Sequence, residues 1–242
     1  MSNQGSSNAP IMEDKSAAPF YQTWIKAITQ PNENTYAQIA SSPNAKATTA
    51  YLWVFLSSLV ASFFSILIRL PTIGAQLSQQ GLGDNGTGGG MGAIAIAVIC
   101  GVPIGAAVGT LFFALITALI QWIAKLFGGR GTNDQLAYAF AAIGVPYSLV
   151  SSIFILLSAI PYVGFCFRLI LGLAGLYVLV LQIMAVKGIN QFGWGPAIGS
   201  VLIPGVVFLL VCACVIGAGL MLMGPAINDI FNQINQSLQN TP

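Results

Sequence analysis

The sequence predicts an all-α polytopic membrane protein: a bundle of five transmembrane helices with a short amphipathic N-terminal helical region. Three observations carry this. Of 242 residues, 56% belong to the apolar set and only 6% are charged. A soluble domain carries about 25% charged residues. Long uncharged runs occupy 51–68, 86–124, 135–167 and 188–228. Each is long enough to cross hydrocarbon of about 30 Å, which takes about 20 helical residues. The division is a disordered tail over 1–18, cytoplasmic interfacial helices over 19–49, a membrane domain over 50–223 and a polar tail over 224–242.

Residues 1–18 are rich in Ser, Asn, Ala and Gly and show no apolar period. No apolar stretch follows within the range of a secretory signal. Phe20, Trp24, Ile25 and Ile28 then recur at helical spacing. The stripe reads in two ways. It is an interfacial anchor, since Trp and Tyr suit the headgroup boundary, or a short helix packed on the bundle's own mouth. The four side chains are expected to bury together, with Gln22, Lys26 and Gln30 facing water. Pro31 ends the segment. A second short helix covers 34–40, with Asn34 as its cap and Tyr36 and Ile39 as its apolar edge, and Pro43 closes it.

Span one is about 50–70, stopped by Pro71; a Gly-rich polar loop over 72–90 follows. Span two is anomalous. Residues 91–127 would make one helix of roughly 55 Å, so it is either a helix kinked near Pro103 or a span with 91–100 as a separate interfacial piece. The kinked helix is preferred. Span three is about 134–158, capped by Asn133 or Asp134 and carrying Pro146 inside it. After a tight turn over 160–164, span four is about 163–186. A loop over 187–196 leads to span five, about 197–223, with Pro204 as a further kink.

Basic residues orient the bundle. Lys15, Lys26, Lys46, Lys125, Arg130 and Lys187 fall on one side, against Arg69 and Arg168 on the other. This predicts a cell-membrane protein with a cytoplasmic N-terminus and an extracytoplasmic C-terminus.

The order of strings along the chain resembles the Yip domain family of Ypt/Rab-interacting membrane proteins, in its prokaryotic branch. Thr29-Gln30-Pro31 precedes Thr35-Tyr36 and Ile39, and Gly128-Gly129 opens span three. Gly144-Val145-Pro146-Tyr147, Ile160-Pro161-Tyr162-Val163-Gly164 and Lys187-Gly188 follow in turn. The resemblance covers about 25–219. It implies five spans and, for eukaryotic members, binding to Rab-type GTPases and to each other in vesicle formation and membrane shaping. Asn44-Ala45-Lys46-Ala47 stands where those members carry Asp-Leu-Tyr-Gly-Pro, a departure that puts Rab-type GTPase binding in doubt for this chain.

The residues themselves offer little chemistry. There is no histidine, hence no ready base near neutral pH. No apolar run holds a Ser–Lys pair, and the carboxylates are dispersed, so no catalytic residue is assigned and the protein is read as no enzyme. Gly128–Gly131 lacks the phosphate-loop pattern. A net charge of +2 gives no nucleic-acid patch. Cys100, Cys166, Cys212 and Cys214 have no CxxC partner and are read as small buried hydrophobes. No cofactor and no metal is expected.

Two features remain. Gly101, Gly105 and Gly109 share one helix face and invite close helix packing, either within the bundle or across a dimer seam. Arg69 and Arg168 are read as lipid headgroup contacts, Arg168 by snorkelling. The expected partners are the bilayer, a second copy or other membrane proteins. The function classes in play are a membrane scaffold or adaptor; a small transporter, channel or lipid-handling protein; and a membrane enzyme. A sealed Gly/Ala core favours the first, and a polar cavity reaching mid-membrane favours the second.

Overall fold

A computed structural model describes residues 20–79, 95, 97–158, 160 and 164–239. The expectations for the tail 1–18, the Gly-rich loop beyond 79, residues 91–94 and 96, and the turn at 161–163 lie outside the described residues. Two short helices, α1 (Phe20–Thr29) and α2 (Glu33–Ala40), lead into the long α3 (Ala47–Gln79). A π-helical turn (Ala97–Gly101) enters α4 (Val102–Leu126). Then come α5 (Asn133–Leu157), α6 (Gly164–Asn190) and α7 (Trp194–Gln239). Five of these helices are long and apolar enough to cross a membrane, over stretches of 23 to 29 residues. The protein is an all-α, multi-pass membrane protein.

The middle of the bundle is α5. It packs against α1, α2, α3, α4 and α6, while α7 closes the far side against α4 and α6. Its first half explains this. Ala137, Ala139, Ala141 and Ala142 have no accessible surface, and such small side chains let helices approach closely in lipid, where packing drives association. Burial is uneven along α5. Leu136 to Ile143 are all buried, whereas Val150, Ile153 and Ile155 are exposed. We call the end holding α1 and α2 the cap end and the other the far end.

Several boundaries differ from those expected. Asn32, not Asn34, caps α2: its side-chain oxygen accepts from the Asn34 N–H at 3.2 Å. Thr132, not Asn133 or Asp134, caps α5 through a reciprocal box with Gln135. The Thr132 hydroxyl accepts from the Gln135 N–H at 3.3 Å, and the Gln135 side-chain oxygen accepts from the Thr132 N–H at 3.1 Å. A side chain three residues ahead closes a pair that Asn133 has no partner for.

Prolines stop fewer helices than expected. The apolar span of α3 ends at Arg69, as read, but the helix passes Pro71 and runs to Gln79. The Thr72 hydroxyl donates to the Arg69 carbonyl at 2.8 Å there. Likewise α7 continues through Pro225 to Gln239, so the polar tail is helical over most of its length. Pro103 lies in the first turn of α4, where its missing N–H is one of the helix's orphans.

The expected loop over 187–196 is only 191–193, because α6 runs to Asn190 and α7 starts at Trp194. The cysteines are corrected too. Cys100, Cys166 and Cys214 are exposed and Cys212 is half-buried, on outward faces that lipid covers.

Candidate functional site

The cap end is where the chain departs from a plain apolar bundle. Three polar joins hold it together. The first fastens the turn between α4 and α5 to the end of α6. Gln121 and Asn190 are buried amides that pair with each other. The Gln121 amide nitrogen donates to Asn190 Oδ1 at 2.9 Å and to the Gly131 carbonyl at 2.7 Å. Asn190 Nδ2 donates to Gln121 Oε1 at 3.3 Å and to the Val186 carbonyl at 3.1 Å. Asn190 Oδ1 also accepts from the Gly131 N–H at 3.1 Å. Glycine is required at the turn. A Cβ on Gly129 would stand 2.8 Å from the Ala124 carbonyl, and one on Gly131 2.6 Å from the Ile189 side chain.

The second join seats α2 on α6. Gly188 lies directly against the Glu33 backbone, where any side chain would collide. Beside it the Lys187 ammonium pairs with Glu33 Oε1 at 2.6 Å and lies 4.3 Å from the Trp194 ring centroid. Lys187 is 13% exposed and Glu33 47%, so water reaches the pair and its net contribution is about 0–1 kcal/mol.

The third join ties down the C-terminal end of α1. The Tyr36 hydroxyl donates to the Ala27 carbonyl at 2.7 Å, and the Tyr177 hydroxyl to the Ile28 carbonyl at 2.7 Å. Burial, then the neighbouring Tyr177, raises the Tyr36 hydroxyl well above its ordinary value of 10.0. Lys26 Nζ adds a bond to Gln38 Oε1 at 2.9 Å. On the opposite side Trp24 meets Trp53 edge-on at 5.6 Å, and Trp53 lies 5.1 Å from Tyr138.

The four residues read as an anchor are therefore divided. Trp24 and Ile28 turn toward the bundle and are half-buried, while Phe20 and Ile25 remain 54% and 58% exposed, next to an exposed Tyr21. The cause is the helix rotation that the Ala27 and Ile28 carbonyl bonds impose. Of the water-facing set, Lys26 is drawn in by Gln38 and is half-buried, while Gln22 and Gln30 stay exposed.

The glycine face lies elsewhere. Gly105 and Gly109 meet Ser62 and Ser58 of α3, with a built Cβ 3.4 and 3.6 Å from those hydroxyls, and Gly101 meets nothing within 4 Å. Arg69 and Arg168 are both exposed on the far half. Among the described residues, no group of three His, Cys, Asp or Glu side chains could hold a metal ion.

The family model for the Yip1 domain matches residues 25–216. The chain belongs to the Yip1 domain family. The match begins inside α1 and ends in α7, so the Yip1 domain includes most of the cap as well as all five apolar helices. A search of the curated proteins finds no match, and neither does one of the solved structures.

Within this Yip1 domain the amide join was missed at the level of sequence. Gln121 and Asn190 stand 69 residues apart, and the only local signal is an amide inside an uncharged run. Ser58, Ser62, Ser65 and Arg69 had a clearer signal, a polar row at steps of three and four on one helix face.

Proposed function

We propose that this Yip1 domain protein is a non-catalytic membrane scaffold or adaptor that presents its cap to other proteins at the cytoplasmic face of the cell membrane. One observation carries the reading. α1 and α2 are tied to each other by the buried Tyr36–Ala27 bond and seated on α6 through Tyr177, Gly188 and Lys187, yet the cap keeps Phe20, Tyr21 and Ile25 exposed along one edge. A rigid mount with an apolar edge suits recruitment, since a preformed surface loses little conformational entropy on binding. The Ala-rich, sealed core of the cap end supports the same reading. Self-association through this edge is a further use of the same surface.

The orientation rests on charge. Lys26, Lys46, Lys125, Arg130 and Lys187 belong to the cap end, with Arg69 and Arg168 toward the other. In a single-cysteine series, positions Thr132 and Gln191 should label only from inside, and Gln236 from outside. Outside labelling at Thr132 would reverse the proposal. The scaffold role is tested by a photo-crosslinker at Ile25 in living cells, with Leu111, a lipid-facing residue 69% exposed, as control. The expected result is a discrete protein adduct at Ile25 that is absent at Leu111 and lost with Phe20→Ser. Lipid adducts alone at both positions would remove the adaptor role and leave an anchor.

A transporter or lipid-handling role draws on one observation, a polar groove between α3 and α4. It ends against the Tyr51–Phe113 contact at 6.3 Å and the buried Thr117 and Gln121 below it. Among the described residues it offers a site but no path through the membrane.

A further inference from the structure

That groove has a volume of about 510 Å³, within the range of small-molecule sites. One wall is the serine row of α3 with Arg69 at its end, and the other is Gly101, Gly105 and Gly109 of α4. Serine and threonine hydroxyls within the other membrane helices turn back onto their own helix. Thr110 bonds the Ala106 carbonyl at 2.8 Å, Ser152 the Ser148 carbonyl at 2.7 Å and Ser200 the Pro196 carbonyl at 2.8 Å. Ser58, Ser62 and Ser65 donate no such bond among the described residues; they line the groove instead. A polar group without a partner in hydrocarbon is costly, so three hydroxyls in a row call for an occupant that accepts hydrogen bonds.

The chemistry of the lining narrows that occupant. Among the described residues every polar side chain in the lining is a serine or Arg69, with no carboxylate. A cation has no ligand there, whereas an anion has one guanidinium and a ladder of donors. Position narrows it further. Arg69 closes the apolar stretch of α3, at headgroup depth, and Ser62 lies about 10 Å deeper by helix rise. Around the mouth Phe63, Ile104 and Val108 are exposed, so the groove opens sideways to lipid.

We propose that the α3–α4 groove binds one membrane phospholipid from the leaflet on the Arg69 side. Arg69 and Ser65 hold the phosphate, and Ser62 and Ser58 donate to the ester carbonyls below it. Gly101, Gly105 and Gly109 leave the room that the glycerol backbone fills. This site is independent of the scaffold reading, because the Ile25 edge and the groove share no residue.

The test is native mass spectrometry of the full chain released from detergent, with added phosphatidylglycerol, with diacylglycerol lacking the phosphate, and with inorganic phosphate. The protein should retain one phosphatidylglycerol, with about tenfold preference over diacylglycerol. Arg69→Gln should weaken retention about tenfold and Ser62→Ala with Ser65→Ala about threefold, while Arg168→Gln leaves it unchanged. Gly105→Leu should fill the groove and abolish retention. Should that variant not fold, Arg69→Gln, at an exposed position, decides alone. Equal retention by Arg69→Gln and the unaltered protein, or equal loss in Arg168→Gln, overturns the site. Displacement of the lipid by millimolar inorganic phosphate would make it a soluble-anion site and overturn the lipid assignment.

Discussion

The two halves of the bundle use small and polar residues to opposite ends. At the cap end, Gly129, Gly131 and Gly188 are filled against backbone or amide groups, and the buried amides Gln121 and Asn190 find partners. At the far end, Gly101, Gly105 and Gly109 face a cavity, and the serines opposite bond nothing among the described residues. A glycine or a polar atom in a membrane helix therefore signals closeness only where the neighbour arrives at contact distance. The cap half is built to stay shut, and the far half keeps room for a molecule that is not part of the chain.

The sharpest way to break this contrast is a pair of alanine substitutions. Gly188→Ala puts a methyl into the Glu33 backbone and should cost about 1–3 kcal/mol or more, as overpacking does. Gly105→Ala meets only Ser62 Oγ at 3.4 Å, and its thermal stability in detergent should barely change. Gly105→Leu, whose side chain must displace Ser62 to enter the groove, should cost more than Gly105→Ala, while Leu111→Ile on the exposed face stays mild. Equal melting temperatures for Gly188→Ala and Gly105→Ala would erase the difference between the halves.

A second pair separates satisfied from unsatisfied polar groups. Asn190→Ala orphans the Gly131 N–H and Gln121 Oε1, at about 1–3 kcal/mol for each buried group. Ser62→Ala removes a hydroxyl with no bond inside the chain among the described residues and should leave the melting temperature in lipid-free detergent unchanged. A drop comparable to that of Asn190→Ala would mean that the serine row holds the helices together after all.

Tyr36→Phe should cost about 0.5–1.5 kcal/mol, the net worth of its bond to the Ala27 carbonyl, read by the same melting assay. It also has a signature in pH. The folded state holds this hydroxyl's titration above the unfolded value of 10.0, so the native form binds more protons at high pH. Its contribution is complete below that pH and declines as pH rises through and beyond it. Tyr36→Phe should show a shallower alkaline loss of stability than the unaltered protein. The smallest effect belongs to Glu33→Gln, about 0–1 kcal/mol, because the Lys187 pair is open to water on the Glu33 side. A larger loss would show that the pair, rather than the Gly188 seat, fastens α2.

Much of this fold is legible in sequence because the bilayer asks for apolar length, and length is a one-dimensional property. The five spans and the exit at Arg69 follow from it. The misplaced boundaries share another cause: they are decided by partners. Thr132 caps α5 because Gln135 answers it, and α6 runs past Lys187 because Gly188 has the Glu33 backbone to rest on. Pro71 reads as a stop because a lone proline in a sequence carries no sign of the neighbours that let a helix continue. The groove was half visible. The glycines of its wall stand out at four-residue steps, but the serines facing them gain meaning only when α3 and α4 are set side by side.

The seat of α2 on α6 has a consequence in time. Glu33 and Lys187 are separated by 154 residues, and ribosomes add roughly 5–20 residues per second. For about 8–30 s after Glu33 is made, the surface that will hold it does not exist. During that interval the chain passes α3, α4 and α5 into the bilayer while α2 waits without its seat on α6. Closure of the cap is therefore a late event in biogenesis, and it reports that the fourth membrane helix has arrived in its place.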